Sequence, residues 1–179
     1  HKCSAVLTAH HADDNLETVL LNLTKGTGIR GLRGMKIQQG LLVRPLLIFD
    51  KQEIISFAQN RCIFWREDVS NASNKYVRNK IRNKVLPVLK ELNPSVLQTF
   101  EDTQARLIGI EMLLDQKVSD LKAQYFKSGR IDCLDVSWVR DHPLDSLLLF
   151  ELLESYQLGY AQFKQIFRSV VQNHSAMFY

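Results

Sequence analysis

Only three cysteines, Cys3, Cys62 and Cys133, occur in 179 residues. No two of them approach Cys-x-x-Cys spacing, so neither a disulfide framework nor a thiolate metal site is indicated. A reducing cytoplasm is the simplest setting, and a cytoplasmic location is the expectation. No apolar run approaches the roughly 18 residues of a membrane span, so no membrane partner is expected. Internal repeats and low-complexity tracts are also missing. The opening His1-Lys2-Cys3-Ser4 is neither a signal peptide nor an initiator methionine, and the sequence reads as beginning inside a larger protein.

What is present is the composition of an ordinary globular protein, 45% apolar and 23% charged, long enough for one or two domains. The net charge of +4 is unevenly spread. Residues 1 to 100 hold 15 basic side chains against 8 acidic ones, and residues 101 to 179 hold 8 against 11. The basic part is where a polyanion such as RNA would bind. This change in composition places a domain boundary in the seam 95 to 100, giving a first region 1–98 and a mainly helical region 99–179.

Cys3 to Thr8 is short and mostly apolar and suits the end of a buried strand, with a polar cluster at its C-terminal edge. From Ala12 to Lys25, Leu16, Val19, Leu20 and Leu23 recur at helical spacing, and Asp13, Asp14 and Glu17 sit in the opening turns, where the helix dipole favours acids. Strand, polar turn and helix in that order predict an α/β sheet. Gly26, Gly28, Gly31 and Gly34 then punctuate a basic loop with Lys25, Arg30, Arg33 and Lys36, a loop expected to face a ligand. Leu41 to Val43 reads as a short strand ending at Arg44-Pro45. Asp50 and Glu53 form a capping box for a helix to about Arg61, whose Ile54, Ile55 and Phe57 are expected to pack on the sheet. A polar stretch, Asp68 to Asn74, precedes a basic helix from about Lys75 to Leu92, and a long helix is expected over 94–126. A strand-like piece near 131–136 and helices near 145–155 and 160–172 complete the pattern.

The densest constellation is His10-His11-Ala12-Asp13-Asp14-Asn15-Leu16-Glu17. Helical spacing lets His10 share a face with Asp14 and Asp13 with Glu17, so that each pair could converge on a metal ion or a phosphate; His11 with Asp14 is a second pairing. Carboxylates prefer magnesium to softer ions, which suits a nucleotide-using reaction. A solvated acidic helix start capped by histidines is the plainer alternative. In the second constellation, residues 75 to 90, six basic side chains occur with no acidic one. Arg78 and Arg82 share a side, and guanidinium forks match phosphate oxygens. A solvated helix face is again the plain reading. Phe64, Trp65 and Tyr76 could stack on a nucleotide but are more often core.

Thr8-Ala9-His10-His11-Ala12-Asp13-Asp14 with Glu17-Thr18, then Lys25-Gly26-Thr27-Gly28 and Gly31-Leu32-x-Gly34-Met35, resemble segments of the tRNA(Ile)-lysidine synthetase family. The same family's pattern continues in Arg44-Pro45-Leu46-Leu47, Asp68-x-Ser70-Asn71 and Tyr76-x-Arg78-Asn79-x-Ile81-Arg82, with Leu86-Pro87 after them. The likeness is specific over residues 4 to 100 and weaker beyond. It implies an α/β fold: an incomplete parallel-sheet nucleotide-binding domain of the PP-loop ATP pyrophosphatase, HUP-like kind, followed by a helical region. It also implies a ligase that uses ATP to adenylate C2 of the wobble cytidine in a CAU-anticodon isoleucine tRNA, after which the lysine amine displaces AMP to give lysidine. ATP as substrate, Mg2+, tRNA(Ile) and lysine follow from the resemblance, and a homodimer stays open.

On that resemblance, Asp14 is the first candidate for the metal or the lysine amine, Asp13 the second, and Glu17 a further metal ligand. His11 is expected to bind the α-phosphate or move a proton, and His10 to orient the turn. Arg78 and Arg82 would bind phosphates with Asn79 and Lys80 beside them; Arg30, Arg33 and Arg44 would meet RNA near the anticodon. The family's Ser-Gly-Gly-x-Asp-Ser loop, whose amides would cradle ATP, does not occur in these 179 residues, so the reaction is assigned to a longer parent and the piece alone is expected to be inactive. Three alternatives remain open: tRNA thiolation, which in cluster-bearing relatives needs grouped cysteines; a metal-dependent phosphohydrolase built on His10-His11-x-Asp13-Asp14; and a non-catalytic RNA-binding module.

Overall fold

The computed structural model describes residues 4–65 and 77–172. The expected turn at 68–74, together with Lys75 and Tyr76, lies outside the described residues. Two compact units emerge, His1–Gly109 and Ile110–Tyr179.

In the first unit, strand β1 (Val6–Leu7) leads to helix α1 (Ala12–Lys25), bounded as the apolar spacing predicts. Leu16 and Val19 are its buried apolar positions, and Asp13, Asp14, Asn15 and Glu17 are buried with them. Gly26 ends the helix at φ +79°, a conformation that excludes most side chains. A short helix α2 (Ile29–Leu32) interrupts the glycine-rich loop, which is therefore more ordered than a plain loop. Its Gly31 carbonyl accepts from Asn22 Nδ2 of α1 at 3.1 Å. Strands β2 (Gln38–Gln39) and β3 (Leu42–Val43) follow, in the sheet order β1-β3-β2; β1 runs parallel to β3 with Val6 opposite Leu42, and β2 runs antiparallel to it.

The expected buried strand at 3–8 is corrected. Val6 and Leu7 are 51% and 68% exposed, because β1 is two residues long and lies at the sheet margin, with β3 as its single neighbour among the described residues. Helix α3 (Lys51–Asn60) starts at the Asp50–Glu53 capping box, Glu53 N donating to Asp50 Oδ1 at 2.7 Å and Asp50 N to Glu53 Oε2 at 2.8 Å. Its expected apolar face is only partly covered: Ile54 and Ile55 are half-buried and Phe57 is exposed.

The basic segment is helical in three pieces: α4 (Val77–Lys80), a wide π turn (Ile81–Val85) and α5 (Leu86–Leu92). Pro87 in the first turn of α5 has no N–H to give the Asn83 carbonyl, and its ring would crowd that carbonyl in a regular α-helix. The widened turn lies where this conflict falls. Ile81 and Leu86 are the buried anchors, and α1 packs against α2, α4 and the π turn.

Helix α6 (Val96–Tyr125) runs on into the second unit. There Leu114, Val118 and Leu121 form its buried stripe at helical spacing. In the hairpin of β4 (Phe126–Lys127) and β5 (Cys133–Leu134), β4 takes Phe126 from the end of the expected helix, and β5 falls within the strand-like piece expected near 131–136. Helices α7 (Pro143–Leu152) and α8 (Tyr160–Gln172) enclose a core of Val139, Leu149, Phe163 and Val170. Phe150 meets Phe163 edge to face at 5.0 Å, a favoured aromatic arrangement. Among the described residues no helix is long and apolar enough to cross a membrane.

Leu149 is 1% exposed at the centre of that core. Truncation by Leu149→Ala removes packed atoms with no room to collapse, and a loss of about 2–5 kcal/mol in unfolding free energy is expected, measured by urea denaturation.

Candidate active site

Three carboxylates within five residues, Asp13, Asp14 and Glu17, are buried at the start of α1. Burying that much negative charge is unfavourable unless cations accompany it. The cations come from the basic helical segment. Arg82 donates from Nε to Glu17 Oε1 at 2.6 Å and from Nη2 to Glu17 Oε2 at 2.9 Å and Asp14 Oδ1 at 2.7 Å. Arg78 adds a 3.3 Å bond from Nε to Glu17 Oε2 and stands 3.7 Å from Asp14 Oδ1. The hydrogen bonds that Arg82 donates to Glu17 raise its pKa further, against the opposing effect of burial.

Asp13 points elsewhere. Its Oδ1 accepts from the Lys90 ammonium, and its Oδ2 accepts from the Lys51 amide at 2.9 Å, the first N–H of α3. Burial by itself would raise the Asp13 pKa. The His11 imidazole, the Lys90 ammonium and the Lys51 amide outweigh it and hold the carboxyl well below the ordinary carboxylate range. The expected convergence of Asp13 with Glu17 on one ligand is therefore corrected: Glu17 shares Arg82 with Asp14, and Asp13 joins α1 to α3 and α5.

The two histidines part company. His10 turns back, its Nδ1 2.9 Å from Thr8 Oγ1. His11 caps α1: its backbone N–H donates to Asp14 Oδ2 at 3.1 Å, its Nε2 lies 3.3 Å from the same oxygen, and its buried Nδ1 faces Asp13 Oδ2 at 3.6 Å without a hydrogen bond. The imidazole thus stands between two carboxylates, the His11–Asp14 pairing having formed in place of His10–Asp14.

Of the other candidates, Arg44 is buried, donating from Nη1 to the Lys36 carbonyl at 2.9 Å, with its Nε unpartnered. Its place is beneath the loop, and a direct RNA contact would need it to leave. Arg30 and Arg33 are half-buried, Arg33 Nη1 donating to the Gly34 carbonyl at 2.6 Å. Asn79 is half-buried and Lys80 exposed.

A divalent cation does not fit this arrangement. Each of the three carboxylates already faces a cationic side chain, and among the described residues no three His, Cys, Asp or Glu side chains are grouped to hold a metal ion.

Sequence reasoning passed over three residues that the structure brings in: Lys90, Asn15 and Gln104. Asn15 is 3% exposed and bonds both the backbone at Met35 and the Gln104 side chain. Lys90 was legible as the last cation of the basic stretch. Gln104 carries no local signal, because its partner Asn15 lies 89 positions away.

Comparison with known proteins gives the same motif order a context. The PP-loop domain family matches residues 1–89. The chain is 34% identical over 175 residues to a tRNA(Ile)-lysidine synthase of Parabacteroides distasonis, which covers 98% of this chain and 40% of that protein. A tRNA(Ile)-lysidine synthase of Bacteroides thetaiotaomicron is 36% identical over 173 residues, 94% of this chain and 39% of its own length. One from Chlorobaculum tepidum is 48% identical over 86 residues, 48% of this chain and 26% of its own length. The chain spans about 40% of the length of the first two of these relatives.

The depressed Asp13 pKa fixes the sign of a pH effect. A carboxylate with a lowered folded-state pKa contributes stability that is complete above its ordinary value of 3.8 and is lost as pH falls below it. Asp13→Asn should therefore be less stable than the unaltered protein near neutral pH, by about 1–3 kcal/mol for the unpaired partners it leaves. The gap should narrow steadily below about pH 4 in thermal unfolding followed across pH.

Proposed function

The chain belongs to the tRNA(Ile)-lysidine synthetase family of PP-loop proteins, and from that membership we propose that the complete enzyme ligates lysine to C2 of the wobble cytidine in a CAU-anticodon isoleucine tRNA. In the first step the cytidine O2 bonds to the α-phosphorus of ATP and pyrophosphate leaves. In the second the lysine ε-amine attacks C2, AMP departs with the oxygen, and the amine loses a proton. Adenylation supports the second step by turning a poor leaving oxygen into a good one.

One observation carries the assignment. Arg82 bridges Asp14 and Glu17 across more than 60 residues of chain, joining the two motif blocks into one site beside the His11 turn. The carboxylates fix the guanidinium planes, so an arriving phosphate meets a cation already in place. Asp14 turns Oδ1 to Arg82 and Oδ2 to His11, and that Oδ2 is the first acceptor for the lysine amine. His11, between Asp13 and Asp14, is the group placed to bond a phosphate oxygen or take the amine proton. His10 orients the turn through Thr8. Arg30 and Arg33 on the glycine-rich loop, and Asn79 and Lys80 on α4, would meet tRNA, while Arg44 supports the loop from within. ATP is the substrate. Magnesium enters with its phosphates rather than on Asp13, Asp14 and Glu17, a reading supported by the pairing of all three carboxylates and unfavourable to a metal-dependent phosphohydrolase.

The test is lysine-dependent AMP release from ATP with the CAU-anticodon tRNA and the complete enzyme. Asp14→Asn and Arg82→Met should each lower the rate by about 10²-fold or more, as expected for groups that meet developing charge. Silence of the unaltered enzyme with this tRNA, alongside retained salt-sensitive RNA binding, would replace the ligase with an RNA-binding module.

A further inference from the structure

The sequence gives Gly31-Leu32-x-Gly34-Met35 a place in the loop whose Arg30 and Arg33 are expected to meet tRNA, but no positioning task. The structure assigns it one: we infer that Asn15 and Gln104 are positioning residues that clasp the glycine-rich loop at Met35, and so set the loop over the reactive turn for the tRNA. The loop geometry stands on its own; the identity of the substrate rests on the lysidine reading above.

The clasp is a closed ring of three hydrogen bonds. Met35 N–H donates to Asn15 Oδ1 at 2.7 Å, Asn15 Nδ2 donates to Gln104 Oε1 at 3.1 Å, and Gln104 Nε2 donates to the Met35 carbonyl at 3.0 Å. Its polarity leaves no freedom. A backbone N–H only donates and a C=O only accepts, so Met35 dictates which end of each side-chain amide faces it, and the remaining ends meet each other correctly. Turning either amide over would set donor against donor or acceptor against acceptor. The ring spends the hydrogen-bonding capacity of two side chains on one backbone residue of a loop, which holds that residue better than packing alone.

Gly34 completes the device. Its φ is +72°, and a Cβ there would come within 2.3 Å of Asn15 Oδ1. The loop backbone lies against Asn15 because nothing projects between them. Asn15 follows Asp14 directly, so the peptide that carries the reactive carboxylate also carries the clasp. Arg33 bonds the Gly34 carbonyl, which ties its guanidinium to the clasped segment. An RNA strand contacting Arg30 and Arg33 therefore meets a loop whose height above Asp14 is fixed through Asn15.

Two readouts test this. Hydrogen exchange of the amides of residues 34 to 36 should quicken about 10-fold in Gln104→Met relative to the amides of α1 and α2, the scale of one or two net hydrogen bonds. Gln104→Glu keeps the acceptor for Asn15 but sets a carboxylate oxygen against the Met35 carbonyl, and should quicken exchange at least as much as Gln104→Met. In the complete enzyme the same order should appear in KM for tRNA, rising about 10-fold for Gln104→Met, with kcat and KM for ATP within about twofold. Acceleration spread evenly over the first unit would overturn the clasp, as would a loosened loop with an unchanged tRNA KM. An unaltered enzyme that transfers no lysine would sink the lysidine reading alone, since the exchange measurement judges the clasp without it.

Discussion

Asp13, Asp14 and Glu17 leave water together at the first turn and a half of one helix, and this is possible only because Arg78, Arg82 and Lys90 come with them. An isolated buried carboxylate would cost several kcal/mol, so no acid can stand there without a cation beside it. That demand places α4, the π turn and α5 alongside α1. Through the Lys51 amide on Asp13, it also places the start of α3. A second short link, Ala12 N to the Phe49 carbonyl at 2.9 Å, holds the same junction from the backbone side. On the proposed function, stability and reactivity draw on the same charges. The groups proposed to meet phosphate and amine are those whose pairing holds the first unit together, so a variant that alters one property should disturb the other.

Much of the local structure was legible because its causes are local. Helix α1 keeps the bounds set by its apolar spacing and by Gly26, and Asp50 with Glu53 closes the capping box that two residues announce. The site was legible only in its parts. Its acids and bases stood out as two clusters, yet nothing in either says that Arg82 chooses Glu17 and Asp14 while Asp13 turns to Lys90, because those choices are made by the packing of segments more than 60 residues apart. Arg44 shows the reverse case. A basic residue beside a proline looks like a surface cation, but burial puts its guanidinium to work on the Lys36 carbonyl.

The second unit illustrates how apolar cores hide in sequence. Phe150, Tyr160, Phe163 and Phe167 are scattered through a stretch with no charged motif, and only the fold shows their rings meeting at 5.0 to 6.2 Å. β5 falls in the strand-like piece expected near 131–136, but its partner β4 and the pairing of the two were not legible, for a related reason. Two residues per strand are too few to display alternation, and their pairing depends on each other rather than on a pattern within either.

The π turn has a geometric consequence for which residues can face α1. In a regular α-helix, positions four apart drift by about 40° at each step, so residues 78, 82, 86 and 90 would wind progressively off any one side. Here Arg78, Arg82, Leu86 and Lys90 serve, in turn, Glu17, the Glu17–Asp14 pair, the apolar interior and Asp13. The widened turn between Ile81 and Val85 rotates each residue less than an α-turn does, and so takes back part of the drift midway. Pro87, which looks like an interruption of the helix, accompanies the correction that keeps its cations in phase.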